Sequence, residues 1–257
     1  MFIFRQSADL QAYLKKERLS GKKSGFVPTM GALHEAHLSL VRRARGENEL
    51  TVCSIFVNPT QFNDPKDYEL YPKTVEKDIY LLEKAACDVL FLPDIPQIYP
   101  PGVPQNETYE LGHLESALEG KYRPGHFQGV CQVMRRLLQL VEPDRLYIGQ
   151  KDYQQCLVIK KLLTLLKMQI EVIICPTLRE SNGLAMSSRN LRLSDEEKKR
   201  SAAIFDALTY MNSNIKEGCL KDLLAVAKNM LLREGLQPDY VEIAATDDLQ
   251  LLEAWNG

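Results

Sequence analysis

The chain has 257 residues, 45% of them hydrophobic, six scattered cysteines, and a formal net charge of -2 at a pI near 6.1. This is enough apolar material for one large core, or one core with a smaller domain beside it, and the near-neutral charge excludes a global basic field for gripping nucleic acid or an anionic membrane. No apolar run approaches the roughly 20 residues that span a bilayer, and without a C-x-x-C pair or a signal peptide the chain reads as a cytoplasmic protein with reduced thiols that acts on small molecules.

Residues 8–19 carry Leu10, Tyr13, Leu14 and Leu19 at helical spacing, and a basic turn from residue 21 to 25 ends that helix. Phe26 and Val27 close a buried strand, Pro28 and Gly31 punctuate the joint behind it, and Leu33, Leu38, Leu40 and Val41 form the apolar face of the next helix. A strand feeding a helix in this way presents backbone N–H groups and the positive end of a dipole, which suits a phosphate. His34 and His37 stand three apart on the first turn and can face the same anion. The alternatives are a metal pair, for which no third ligand cluster and no H-E-x-x-H spacing is evident, or surface residues of an amphipathic helix.

Residues 50–57 form a second strand, whose near-continuous apolar character fits a parallel strand covered on both faces. Asn58 and Pro59 break it, and the polar segment 61–71 is a loop of the kind that binds ligands at the carboxyl ends of open α/β sheets. An amphipathic helix over 74–86 and a third strand over 88–92 lead to a stiff wall through Pro93, Pro96, Pro100, Pro101 and Pro104. A short strand and helix are expected over 107–118, and residues 120–127 open a long helix that runs to about Val141.

Residues 144–148 are the fourth strand, which Gly149-Gln150-Lys151-Asp152 turns into a helix, a second joint of the first kind. A Lys there offers a point charge to phosphate oxygens and an Asp accepts from a ribose or helps hold Mg²⁺; a solvated first turn is the alternative. Residues 171–175 make the fifth strand, ended by Pro176. Beyond a polar linker at 179–183, Ser187-Ser188-Arg189 brings two hydroxyls and a guanidinium fork suited to triphosphate oxygens. Residues 194–197 cap a helix, another helix covers 220–234, and a strand is expected at 240–244. The pattern predicts an α/β fold: a Rossmann-like doubly wound parallel sheet over 1–176, with a smaller α+β lid domain over 177–257.

The run Pro28-Thr29-Met30-Gly31-Ala32-Leu33-His34, with His37, resembles the His-x-Gly-His signature of the nucleotidyltransferase superfamily and, in its longer form, the pantothenate synthetase family. Further blocks resemble that family in the same order: Asn58-Pro59-Thr60-Gln61-Phe62, Tyr71-Pro72-Lys73-Thr74 with Asp78, Arg123-Pro124-Gly125-His126-Phe127, Gly149-Gln150-Lys151-Asp152-Tyr153-Gln154-Gln155, and Met186-Ser187-Ser188-Arg189-Asn190. The last resembles the superfamily's Lys-Met-Ser-Lys-Ser element with Arg in place of the later Lys. The resemblance implies a homodimer that condenses pantoate with β-alanine using ATP and Mg²⁺, through a pantoyl adenylate, with release of AMP and pyrophosphate.

By that resemblance His34, His37, Lys151, Ser187, Ser188 and Arg189 stabilise the reacting phosphorus and the departing pyrophosphate. Met30, Gly31, Ala32, Leu33, Glu35, Ala36, Gly149, Gln150, Asp152, Leu178 and Met186 complete the ATP site, Gln61 and Gln155 hold the pantoate and β-alanine side, Asp78 is a candidate for the Mg²⁺ shell, and Arg123 and His126 stand at the mouth. Two positions depart from the family's pattern: Ala36 stands where Gly is usual between the histidines, and the chain stops at Gly257 without the family's final strand. Two alternatives follow, a relative that transfers an adenylyl group to a phosphate and stops there, and an inactive nucleotide-binding protein.

Overall fold

The computed structural model describes residues 1–102 and 107–257, so Pro104 lies outside the described residues. Its elements run β1 (Phe2–Phe4), α1 (Ser7–Leu19), β2 (Ser24–Thr29), α2 (Glu35–Glu47), β3 (Leu50–Ile55), α3 (Pro65–Glu69), α4 (Val75–Lys84), β4 (Val89–Phe91), α5 (Ile95–Ile98), α6 (His113–Ser116), α7 (Glu119–Tyr122), α8 (His126–Val141), β5 (Arg145–Gly149), α9 (Tyr153–Leu166) and β6 (Glu171–Cys175). They continue with α10 (Asp195–Ser201), α11 (Ala203–Asn214), β7 (Gly218–Cys219), α12 (Lys221–Arg233) and β8 (Ala254–Trp255).

Strands β1 to β6 form one parallel sheet in the order β1-β4-β3-β2-β5-β6. Its two faces are readable residue by residue. Phe26, Val52, Val89 and Leu146 enter the core beneath α1, α8 and α9, while their neighbours Val27, Cys53, Leu90 and Tyr147 enter the core beneath α2 and α4. Side chains alternate across a strand with a period of two, so a strand buried on both sides must be apolar at nearly every position. This is the Rossmann-like α/β sheet that the alternation of elements predicts.

The strand order reverses between β2 and β5, and there the sheet splits. β2 pairs with β5 only at Gly25 and Phe26, whereas its pairing with β3 runs from Ser24 to Thr29. Pro28 has no N–H to give to the ladder, and beyond Phe26 the two central strands diverge. The crevice so formed lies at the carboxyl ends of the strands, where open α/β sheets take their ligands.

Five expectations are corrected. The polar segment 61–71, expected as a loop, carries the short helix α3, which Asp64 caps by accepting from the Lys66 N–H, and the proline-rich wall after β4 contains the single helical turn α5, where Pro96 sits in the first turn and gives up no needed N–H. The apolar start at Phe2 to Phe4 is a sixth, edge strand, too short to be read from its period. The segment 107–118 contributes α6 and no strand among its described residues, and its chain turns at Leu118 with φ of 44°. Residues 240–244 are not a strand: Ala244 makes a single bridge to Leu251, and the second sheet is instead β7 with β8. A third cluster, Ala203, Ala207 and Met211 of α11 against Ala227 and Leu231 of α12, forms a separate small core after β6. The six cysteines are all free, Cys219 alone among them being exposed, and no helix among the described residues is long and apolar enough to cross a membrane.

Candidate active site

A cavity of about 250 Å³ occupies the crevice. The joint after β2 contributes Met30, His34, Ala36 and His37; the joint after β5 contributes Gly149, Lys151, Asp152 and Gln155; Leu178 and the run from Met186 to Arg189 close it from the segment after β6. Phe56, Asn58 and Gln61 enter from the carboxyl end of β3, and Val130, Val133, Met134 and Leu137 of α8, the helix packed against that turn, add an apolar wall. One side is therefore polar and partly cationic and the other hydrocarbon, a division suited to a ligand with an anionic part and an apolar part.

The two histidine rings lie 4.0 Å apart, tilted by 32°. Burial is the main cause that pushes His37 down to about 3, with His34 and Lys151 adding to it, and burial then Lys151 lowers His34 in the same direction. Both imidazoles are therefore neutral at pH 7. The His34 backbone N–H donates to Nδ1 of His37 at 3.4 Å, which leaves Nε2 of His37 as the protonated nitrogen, free to donate into the cavity. Nδ1 of His34 is buried with no partner among the described residues, an unmade bond of the kind that gathers at functional sites.

The formal cations of the site are Lys151 and Arg189. Lys151 is about two-fifths exposed and touches Asp152 at 3.4 Å. Arg189 is engaged: its Nη2 lies 2.7 Å and its Nε 3.3 Å from the two oxygens of Asp67 on α3, which Arg192 also holds at 2.8 Å. Burial works against the charge on Arg189, but the Asp67 carboxylate more than offsets it and raises its pKa. Asp67, invisible as a site residue in the sequence, is drawn down chiefly by Arg189.

Gln61 is aimed from behind. Its Nε2 reaches Sδ of Met30 at 2.8 Å, its Oε1 accepts from Asn58 at 3.3 Å, and its backbone carbonyl accepts from Nδ1 of the buried His126 at 2.8 Å. Asn58 is itself fixed, accepting from Tyr99 at 2.9 Å and donating to the Gly129 carbonyl at 3.2 Å. A Cβ on Gly129 would lie 2.2 Å from the Thr60 carbonyl oxygen, so only glycine lets α8 approach this turn. His126 thus packs behind Gln61 and Arg123 pairs loosely with Glu119 at 3.8 Å, so neither of these residues, expected at the mouth, lines the cavity. Adjacent glutamines divide their work: Gln154 is buried on the carbonyls of Leu114 and Ala117, while Gln155 faces the cavity.

A sequence profile of the Pantoate-beta-alanine ligase family matches residues 2–256. Pantothenate synthetase from Cytophaga hutchinsonii is 44% identical over 95% of this chain and 86% of its own length. Crystal structures of pantothenate synthetase from Thermus thermophilus and of pantoate-beta-alanine ligase from Francisella tularensis, the latter complexed with beta-gamma ATP and beta-alanine, superpose with TM-scores of 0.90 and 0.79. They are 41% and 39% identical, cover 100% and 90% of this chain, and are themselves covered to 91% and 86%.

The chain belongs to the pantoate–β-alanine ligase family.

As a member of that family it is a ligase of pantoate and β-alanine. Of the residues named from the sequence for the ATP, substrate and metal sites, Met30, His34, Ala36, His37, Gln61, Gly149, Lys151, Asp152, Gln155, Leu178, Met186, Ser187, Ser188 and Arg189 line this cavity. Six do not. Glu35 is exposed and pairs with Arg42, and Gln150 is exposed. Gly31, Ala32 and Leu33 are buried, and their N–H groups are already bonded: Gly31 to Thr29 Oγ1 at 3.3 Å, Ala32 and Leu33 to the carboxylate of Asp78 at 2.9 and 2.8 Å. Asp78 is the sixth. It is completely buried and its oxygens serve this turn and the Thr74 hydroxyl, so it does not line the cavity and fits no Mg²⁺ shell. In this ligase the N–H groups at the very joint are thus already engaged, as is that of His37 on the His34 carbonyl at 2.8 Å, and those of Glu35 and Ala36 at the start of α2 are the ones without a partner among the described residues.

Proposed function

We propose that this ligase activates pantoate by adenylation and then passes the pantoyl group to β-alanine. The pantoate carboxylate attacks the α-phosphorus of ATP, the bond to pyrophosphate breaks, and a pantoyl adenylate forms; the β-alanine amine attacks the acyl carbon, the bond to AMP breaks, and the amine sheds its proton as the amide forms. The observation that carries this reading is the convergence of both strand-to-helix joints and Ser187-Ser188-Arg189 on a single cavity. The Francisella relative, complexed with an ATP compound and β-alanine, supports the same substrates here.

No side chain needs to become covalently bound, so catalysis rests on positioning and on charge stabilisation. Lys151 supplies a full positive charge to the phosphate oxygens, His37 a neutral N–H from Nε2, and Ser187 and Arg189 donors from the segment after β6. Gln61 and Gln155 present donors and acceptors to the hydroxyls and carboxylate of pantoate, whose methyl groups suit the wall made by Val130, Val133 and Met134.

Among the described residues no group of three or more His, Cys, Asp or Glu side chains is placed to hold a metal ion. A Mg²⁺ carried in on the nucleotide fits this site differently: Asp152 is the carboxylate lining the cavity, and one carboxylate with substrate phosphates is a usual Mg²⁺ donor set. Such an ion would neutralise phosphate charge. Residues 177–257 we read as a lid domain over this site, since Ser188 anchors its first segment to the joint after β2 while α11 and α12 keep a core of their own.

The test is the product formed from ATP, pantoate and β-alanine together. Stoichiometric amide and AMP are expected; ATP turnover with a phosphate acceptor and no amide would overturn the reading.

A further inference from the structure

Asp78 is a fully buried carboxylate that packs behind the joint after β2 and does not line the cavity. Its Oδ2 accepts from the Ala32 N–H at 2.9 Å, and its Oδ1 accepts from the Leu33 N–H at 2.8 Å and from the Thr74 hydroxyl at 3.1 Å. Gly31 and Ala32 both have left-handed backbones, φ of 83° and 48°. For Ala32 this conformation costs free energy and persists only where the surroundings fix it. Successive N–H groups in such a turn converge into a concave nest that takes an anion. Here the occupant is a side chain of the protein itself, and a Cβ on Gly31 would stand 3.2 Å from Asp78 Oδ2.

Two functional groups depend on that turn. His34 follows Leu33 directly, and the Ala32 carbonyl accepts from the Ser188 hydroxyl at 3.0 Å, which ties the segment from Met186 to Arg189 to the joint after β2. We infer that Asp78 is a positioning residue for the nucleotide half of the reaction: by filling the nest at Ala32 and Leu33 it sets the direction of the histidine turn and the docking of Ser188, without touching substrate or metal. The inference rests on the reading of this cavity as an ATP site.

The experiment uses Asp78→Asn and Thr74→Val in the full chain. An Asn keeps the size of the side chain but turns an NH₂ toward one of the two backbone N–H groups, and Thr74→Val removes only the hydroxyl. With pantoate and labelled pyrophosphate, Asp78→Asn is expected to raise the KM for ATP by about tenfold to a hundredfold while the KM for pantoate stays within about twofold. Thr74→Val should move in the same direction and less far. Hydrogen exchange of the peptide spanning residues 30–37 is expected to speed up in Asp78→Asn without any ligand present.

A stabilising but otherwise idle carboxylate would lower the yield of folded protein and leave both KM values as in the parent, which overturns the inference. So does a rise in the Mg²⁺ needed for half-activation with the KM for ATP unchanged, since that assigns Asp78 to the metal. If Asp78→Asn does not fold, Thr74→Val with parental KM values and parental exchange at 30–37 is the overturning result. A parent chain that catalyses no exchange of pyrophosphate sinks the ATP reading instead, and the hydrogen-exchange comparison still decides whether Asp78 holds the turn.

Discussion

Asp67 holds Arg189 by both oxygens, at 2.7 and 3.3 Å, so the guanidinium offered to a triphosphate is already paired across the cavity mouth. A nucleotide must share or displace that carboxylate. Because the Arg189 side chain is 42% exposed, the pair is worth only about 0.2–1 kcal/mol. Arg192 remains to neutralise Asp67 when Arg189 lets go. Asp67→Asn is therefore expected to lower the KM for ATP by up to about fivefold and to leave that for pantoate unchanged. A higher KM for ATP, measured by pyrophosphate exchange, would mean that Asp67 aims the fork instead of withholding it.

Lys151 and His37 should separate chemistry from folding. Among the described residues Lys151 has one loose partner, Asp152, so Lys151→Ala should cost within about 0.5 kcal/mol of stability. Adenylate formation should fall on the order of 10²–10³, the loss typical of one donor to a developing charge. For His37 the neutral Nε2–H is the working group, and the amide of Gln can place a donor near it. His37→Gln should retain more adenylation than His37→Ala, and the parent rate should show no ionisation near pH 6.5. Equal loss in both variants, with an ionisation near that pH, would return His37 to the role of proton donor.

The same burial makes a prediction about stability. The folded state holds His37 at about 3 while an unfolded histidine titrates near 6.5. Between those values the unfolded chain binds the extra proton, so stability contributed by neutral His37 is full above about pH 6.5 and is lost as pH falls toward 3, by up to about 1.4 kcal/mol per pH unit. Urea unfolding at pH 7.5, 6 and 5 should show a steeper loss for the parent than for His37→Gln. Parallel slopes would show that the ring is hydrated and titrates as it would in an unfolded chain.

Gln61 is held by Asn58 and by His126, and Gln155 stands on the first turn of α9 and lines the same cavity. Alanine at either position should raise the KM for pantoate well above any change in the KM for ATP. Equal changes for both substrates would assign the two glutamines to the frame of the site. Gly129→Ala tests the frame directly: with 2.2 Å between its Cβ and the Thr60 carbonyl, it should destabilise the fold by about 1–3 kcal/mol through overpacking.

Much of this protein is written locally. Five of the six sheet strands are double-faced apolar runs or runs bounded by Pro and Gly, and both strand-to-helix joints are visible as such a run passing through Pro or Gly into a helix. The residues gathered at those joints, His34, His37, Lys151 and Asp152, could be named because each block is contiguous in the chain and the blocks resemble a known family in order. Ala36, where the family's usual Gly is absent, lines the cavity without closing it.

What the sequence left open depends on contacts between distant residues. Asp78 lies 46 residues from Ala32, and Asp67 lies 122 from Arg189, so no local pattern marks the first as the occupant of a turn or the second as the partner of a clamp. The edge strand at Phe2 to Phe4 is fixed only by its register on β4, and the bridge at Ala244 could pass for a strand because its neighbours are apolar. The charge state of the histidines was equally hidden, because composition counts ionisable groups and only the packing around them sets the cost of a charge. The cavity itself exists because β2 and β5 part after Phe26. That parting is a relation between two strands more than a hundred residues apart, and tertiary structure alone decides it.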